Sequence, residues 1–403
     1  MRRAVKFIGR VIRNPRKLVN AYRLRFAPES MLAPGARPSN PKLKLTHVAA
    51  FTDGNAGDTI QPTCVRDCFA LNGVAASWKL CHVHHPLDEN RLRVANEGDA
   101  VVIGSGGLFL KDTIKTGAGW QWNCTVDQMN RIKVPLIIFA VGYNRFRGQE
   151  EFDSGFLDSL HLLLDKSIFF SVRNTGSQRA IRSYLEDQKL RDKIVFQPCT
   201  TTLLRRMYPN LFSTEIKGAK DFIALNCAFD RSESRFQGRQ AEILGGVAGA
   251  MKKLSALAPI RYASNAPSDE KMLPYLDKAG VPYVLDRLYE IPSEKVVDYY
   301  RRPALTLGMR GHAQMVPFGC GTPILSLISH DKLKWFLDDI DEPSWGVDML
   351  ESDLEARVYT AAESILKDRK GVQTTLDAKA AMLWERTAGN FRALQSSIQQ
   401  IKK

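Results

Sequence analysis

Arg310, Gly311 and His312 place a guanidinium and an imidazole two residues apart, directly after the apolar run Leu305 to Leu307. A guanidinium recognises phosphate or carboxylate with two parallel hydrogen bonds, and an imidazole exchanges protons near neutral pH. Four other polar clusters follow apolar runs in the same way. Asp53-Gly54-Asn55-Ala56-Gly57-Asp58-Thr59 follows Val48 to Phe51. Its glycines permit a tight turn, and amides at the following helix start can meet an anion or sugar hydroxyls. Asp58 is either a base or a helix cap. Gly104-Ser105-Gly106-Gly107 follows Ala100 to Ile103 and reads as a strand-to-helix turn, either cradling phosphate or purely structural. It matches neither GxGxxG nor the Walker pattern. Ser171-Val172-Arg173-Asn174-Thr175-Gly176-Ser177 sets an arginine at a strand end, for an anion or for a neighbouring carboxylate. Gly319-Cys320-Gly321-Thr322-Pro323 leads through Ile324 to Ile328 into Ser329-His330-Asp331-Lys332, where Lys332 is a phosphate contact or a surface lysine.

The other histidines, His47, His82, His84, His85 and His161, read as structural. His84-His85 has no further ligand at metal-binding spacing, and no metal is expected.

Short β-branched runs must position these clusters. Val48–Phe51, Ala100–Ile103, Leu136–Val141, Ile168–Val172 and Ile194–Phe196 alternate with helical stretches at Gln61–Leu71 and Phe156–Leu164. A polar segment at Asn210–Asp221 reads as a linker. The alternation then resumes, with strands at Phe222–Asn226, Ile260–Ala263, Tyr283–Leu285, Leu305–Gly308 and Ile324–Ile328 and helices at Ala241–Leu257 and Ser293–Arg301. Near-continuous apolar runs separated by helices predict parallel sheets covered on both faces. The expected α/β organisation is an arm and linker at 1–44, two doubly wound Rossmann-like domains at 45–210 and 220–350 facing a cleft, and C-terminal helices at 351–403. Ligands of such sheets bind beyond the carboxyl ends of the strands, where the polar clusters sit.

Of 403 residues, 57 are Lys or Arg and 43 Asp or Glu, a net charge of +14. Nine of those excess charges, from Arg2 to Arg25, precede the first acidic residue, Glu29. This localisation argues against nucleic acid as a partner and for a cationic arm. Val5, Ile8 and Ile12 recur at helical spacing within residues 1–28, so the arm suits an anionic membrane surface, or packing on its own domain. The seven cysteines are scattered and never form CxxC, as in a reducing cytoplasm. There is no apolar run of membrane-spanning length and no signal-peptide core, so the expected location is cytoplasmic, either free or peripheral on the inner membrane face.

In this order, the clusters resemble the polysaccharide pyruvyl transferase family. Asn55, Gly57 and Asp58 match its N-x-G-D turn, and Gly106-Gly107-Leu108-Phe109 its Gly-Gly turn. Ser171, Arg173 and Ser177 match S-x-R-D-x-x-S, with Asn174 in place of Asp; Arg310, His312, Gly321, Pro323, Asp331 and Lys332 match the remainder. The resemblance implies the glycosyltransferase B architecture, phosphoenolpyruvate as donor rather than any cofactor, and a hexose of a surface polysaccharide or its lipid-linked precursor as acceptor. The product is a cyclic pyruvate ketal, with phosphate released. On that footing Arg173 and Arg310 orient the donor, His312 donates a proton to its methylene and Asp58 is the base. Asn55, Gly57, Ser105, Gly106, Gly107, Ser171, Ser177 and Lys332 complete the binding set. The competing reading is a sugar-nucleotide glycosyltransferase of the same architecture, although no E-x-x-E pattern accompanies Gly319 to Pro323.

Overall fold

The computed structural model describes residues 30–33, 35–36, 40–51, 54–111, 118–213 and 221–401. The arm at residues 1–28, with the amphipathic helix expected there, lies outside them, as does Asp53.

Two six-stranded sheets, parallel throughout, organise the chain. The first holds β1 (Leu43–Ala49), β2 (Ala76–His82), β3 (Ala100–Phe109), β4 (Leu136–Tyr143), β5 (Ser167–Val172) and β6 (Ile194–Phe196), in the order β2-β1-β3-β4-β5-β6. The second holds β7 (Ile223–Asn226), β8 (Ile260–Ser264), β9 (Tyr283–Arg287), β10 (Leu305–Gly308), β11 (Ile324–Ile328) and β12 (Gly346–Asp348), in the order β12-β11-β10-β7-β8-β9. Every residue of β4 and β11 is buried, because helices cover both sheet faces. Both are Rossmann-like doubly wound domains, as the alternation of apolar runs predicts.

Two edge strands, β2 and β12, were not among the expected ones. The first alternates polar and half-exposed residues around Trp78, and the second is three residues long, so neither carries a continuous apolar signal. The glycine cluster is also different from expectation. Gly104 to Gly107 lie inside β3 and not on a strand-to-helix turn. A Cβ on Gly107 would sit 1.7 Å from Nδ2 of Asn144, which donates to the Gly107 carbonyl at 2.8 Å, so a side chain there would displace Asn144.

Nine helices matter to the site: α1 (Ala56–Leu71), α2 (Ser154–Lys166), α3 (Thr175–Arg182), α4 (Gln240–Leu254), α5 (Ser293–Tyr300), α6 (His312–Gly319), α7 (Asp331–Asp339), α8 (Leu354–Lys367) and α9 (Arg369–Ile401). α8 stays on the second domain against α4. α9 crosses back to the first domain. Its Asn390 donates to the carbonyl of Phe196, Gln395 donates to that of Asn72, and Phe391 packs edge-on against Phe69. The apolar cluster beneath α1, α6 and α9 is continuous across both domains, so the cleft between the sheets has a shared hydrophobic floor. All seven cysteines are buried and free, as small apolar residues of these cores. Among the described residues, no helix is long and apolar enough to cross a membrane.

Candidate active site

A doubly wound sheet opens a crevice where its strand order reverses. In the first domain that point lies between β1 and β3, and in the second between β7 and β10. The two crevices face each other and form one cavity of about 170 Å³. The first domain supplies Asn55 and Asp58 after β1, Gly106 and Gly107 on β3, Asn144 and Phe146 after β4, and Arg173 after β5. The second supplies Asp230, Arg231 and Arg235 after β7, Arg310 to His312 after β10, and Lys332 after β11. A larger groove of about 680 Å³ lies between α8, the start of α9 and Trp345. Its one lining cation, Arg357, is paired with Glu351, so it offers no comparable chemistry.

Asn55, not Asp58, caps α1: its side-chain oxygen accepts the amide of Gly57 at 3.0 Å. Asp58 sits in the first turn with no hydrogen bond or ion pair among the described residues. Burial raises its pKa to about 6, with Arg310 and Lys332 opposing and Asp230 adding to the rise. A carboxyl held there can take a proton at neutral pH.

Arg310 is firmly held. Its guanidinium donates to both oxygens of Asp269, with Nη2 to Oδ1 at 2.6 Å, and Nη1 lies 3.0 Å from Asp230. Burial works against its charge, but these carboxylates, Asp269 foremost, hold its pKa above the usual arginine value. Asp269 is itself fully buried and also accepts from Asn226 and the Asn265 amide. Asp230 additionally accepts from buried Arg235 at 2.8 Å. Burial tends to raise its pKa, but Arg235, Arg310 and Lys332 bring it well below the carboxylate norm.

Arg173 is the opposite case. It is 5% exposed, its Nη2 donates to Asn144 at 3.2 Å, and its Nε is buried without a hydrogen-bond partner among the described residues. Burial lowers its pKa, with Cys199 and Asp58 only partly opposing, so its charge is under-compensated. Lys332 is lowered too, by burial and then by Arg173 and Arg235, and its Nζ lies 5.8 Å from the Phe146 ring centre. The Nε2 of His312 is likewise buried and, among the described residues, unpartnered. Burial, followed by Arg173, Lys332 and Arg310, pushes the His312 pKa down to about 3, so the imidazole is neutral at pH 7.

The cavity therefore brings together Asp58, His312, Arg173, Arg310, Asn55, Gly106, Gly107 and Lys332. Gly57 stands behind His312. Ser105, Ser171 and Ser177 are not in its lining. The Ser171 hydroxyl bridges Ala140 and Ile138 inside the sheet, Ser177 accepts the Tyr143 amide, and the buried Ser105 hydroxyl has no partner. Asn174 caps α3 through the Ser177 amide at 2.6 Å, a task that needs an acceptor but no charge. Sequence reasoning missed Asn144, Phe146, Asp230, Arg231, Arg235 and buried Asp269. The charged run Asp230-Arg231 shortly after Phe222–Asn226 was a usable signal of the same kind as Arg310. Among the described residues, no group of three or more His, Cys, Asp or Glu is arranged to hold a metal.

The family model for polysaccharide pyruvyl transferase matches residues 35–331. The chain belongs to that family. It is thus an enzyme of a transferase family, and all the cavity residues except Lys332 fall within the matched span. The solved structures similar to this pyruvyl transferase include the S. aureus MnaA–UDP co-structure, at 13% identity and a TM-score of 0.51, covering 83% of this chain and 90% of that one. The UDP-GlcNAc 2-epimerase from Methanocaldococcus jannaschii is 12% identical with a TM-score of 0.50, covering 81% and 94%. At that identity the likeness concerns the fold alone, and it places the chain in the glycosyltransferase B architecture. No curated protein matches the chain.

Proposed function

We propose that this transferase moves the pyruvyl group of phosphoenolpyruvate onto two hydroxyls of a hexose in a surface polysaccharide or its lipid-linked precursor. The observation that carries this reading is the charge of the cavity, where, among the described residues that line it, five cations face two carboxylates, Asp58 and Asp230. Phosphoenolpyruvate packs about three negative charges into a few ångströms. Under-compensated Arg173 and Lys332 suit it, and Arg310, fixed by Asp269, gives the site a rigid edge.

In this reading the donor's arrival reverses the field on His312. Three cations that add to burial in keeping it neutral become compensated, the donor's negative charge favours the imidazolium, its pKa rises, and it gives its proton to the methylene carbon C3. The first sugar hydroxyl bonds to C2 while Asp58 takes its proton. The second hydroxyl then displaces phosphate at C2, closing the ketal, and its proton leaves with the phosphate. The cations stabilise the leaving group, so the step calls for neither metal nor cofactor.

The arm fits the same account. Nine cations within residues 1–28 would hold the enzyme on an anionic cytoplasmic membrane face, beside a lipid-linked acceptor. Sedimentation with anionic vesicles, with and without residues 1–28, tests that part. The donor is tested by thermal shift with phosphoenolpyruvate against sugar nucleotides. Stabilisation by phosphoenolpyruvate alone supports the proposal, and stabilisation by a sugar nucleotide alone replaces it with glycosyl transfer.

A further inference from the structure

One first-domain loop reaches into the second domain beside the cavity. Phe146 and Arg147 follow β4. Arg147 makes three hydrogen bonds there: Nη1 and Nη2 to the two oxygens of Asp348, at 3.0 and 2.8 Å, and Nε to Asp331 at 2.8 Å. Asp348 ends β12, and Asp331 is the first residue of α7, next to Lys332. The Phe146 ring lies 4.2 Å from the His330 ring, with Arg231 and Arg235 at 5.1 and 5.2 Å and Lys332 at 5.8 Å from its centre. At its other end α7 is held by the first domain again. Asp339 accepts the amide and hydroxyl of Thr175, at 3.0 and 2.5 Å, and Trp335 packs on Gly176.

Helix α7 is thus clamped at both ends by first-domain groups. Thr175 is two residues from Arg173, and Arg147 contacts the neighbour of Lys332. The two cations with the least compensation come from different domains, and each is tied to the other's domain by one of these clamps.

We propose that Arg147 is a positioning residue for the anion site, fixing Lys332 against Phe146 so that Arg173 and Lys332 act as a pair only when the domains are closed. The idea rests on the cavity binding an anion. It goes further in making anion affinity depend on an ion pair that no substrate touches. Binding and closure are then linked, each favouring the other.

The test is a double-mutant cycle on the full-length enzyme, read by calorimetric titration with phosphoenolpyruvate and, separately, inorganic phosphate. Arg147→Ala should weaken binding roughly tenfold, the scale of coupling between residues in one network. Arg147→Lys should recover part of that loss. In a Lys332→Met background, Arg147→Ala should cost nothing further. Small-angle scattering should show a larger radius of gyration for Arg147→Ala, reversed by saturating ligand. Unchanged affinity in Arg147→Ala, or losses that simply add, would overturn the proposal. If Arg147→Ala does not fold, Asp348→Asn removes the bidentate partner instead, and the same non-additivity with Lys332→Met is expected. Binding of phosphate with this non-additivity, but none of phosphoenolpyruvate, would sink the donor assignment and leave the role of Arg147 standing. A wild type that binds neither would overturn both.

Discussion

The imidazole of His312, from the second domain, rests on the backbone of Gly57, from the first. A Cβ added to Gly57 would lie 2.0 Å from Nδ1 and 2.5 Å from Cγ of that ring. Two helix starts, of α1 and α6, meet at this point, and the missing side chain is what lets them meet. Gly57→Ala must therefore push His312 away or part the domains. Overpacking of this kind costs about 1–3 kcal/mol, while a misplaced catalytic group costs about a hundredfold in rate. Turnover should fall far more than the melting temperature, as paired kinetics and thermal denaturation would show.

Arg310 and Arg173 should separate stability from binding. Removing Arg310 strands Asp269, whose side chain is 0% exposed, and loosens Asp230. Breaking a buried pair costs on the order of 3–5 kcal/mol. Arg173 has no such partner, and burial already disfavours its charge. In urea denaturation Arg310→Met should be strongly destabilised. Arg173→Met should be as stable as wild type or more so, yet fail to bind phosphoenolpyruvate.

The pH dependence should carry the mark of Asp58. Its pKa is raised, chiefly by burial, to about 6. A base must be ionised to act, so kcat at saturating phosphoenolpyruvate should show an acid limb, falling as Asp58 becomes protonated. The raised value also means that Asp58 costs stability as pH rises from the ordinary carboxylate range to about 6, with no further loss above that. Asp58→Asn should lose activity at every pH, lose the acid limb, and melt no lower than wild type at pH 7. A limb that persists in this variant would assign it to another group.

Much of this is legible in the sequence. Continuous apolar runs gave ten of the twelve strands, because a strand buried on both faces needs nothing but apolar residues. The rule that ligands sit beyond strand ends then found Asp58, Arg173, Arg310, His312 and Lys332. The misses have physical causes. Ser171 and Ser177 follow the same rule, but their hydroxyls are spent on sheet and loop amides, a choice set by rotamers rather than by residue type. Phe146 and Arg147 sit in a loop whose meaning comes from Asp331 and Asp348, about two hundred residues away in sequence. Asp269 is invisible as a functional support because only its complete burial, against Arg310, shows what it does.

The central claim is that a trianion enters this cavity and His312 becomes its proton donor. A neutral His312, its pKa pushed down to about 3 by burial and then by Arg173, Lys332 and Arg310, should gain a proton when a trianion compensates those cations and pairs with the imidazolium. The direct measurement is calorimetric titration of phosphoenolpyruvate at pH 7 in buffers of different ionisation enthalpy. Wild type should take up about one proton on binding, and His312→Gln should bind with clearly less uptake. Binding without proton uptake, or the same uptake in His312→Gln, would contradict the account.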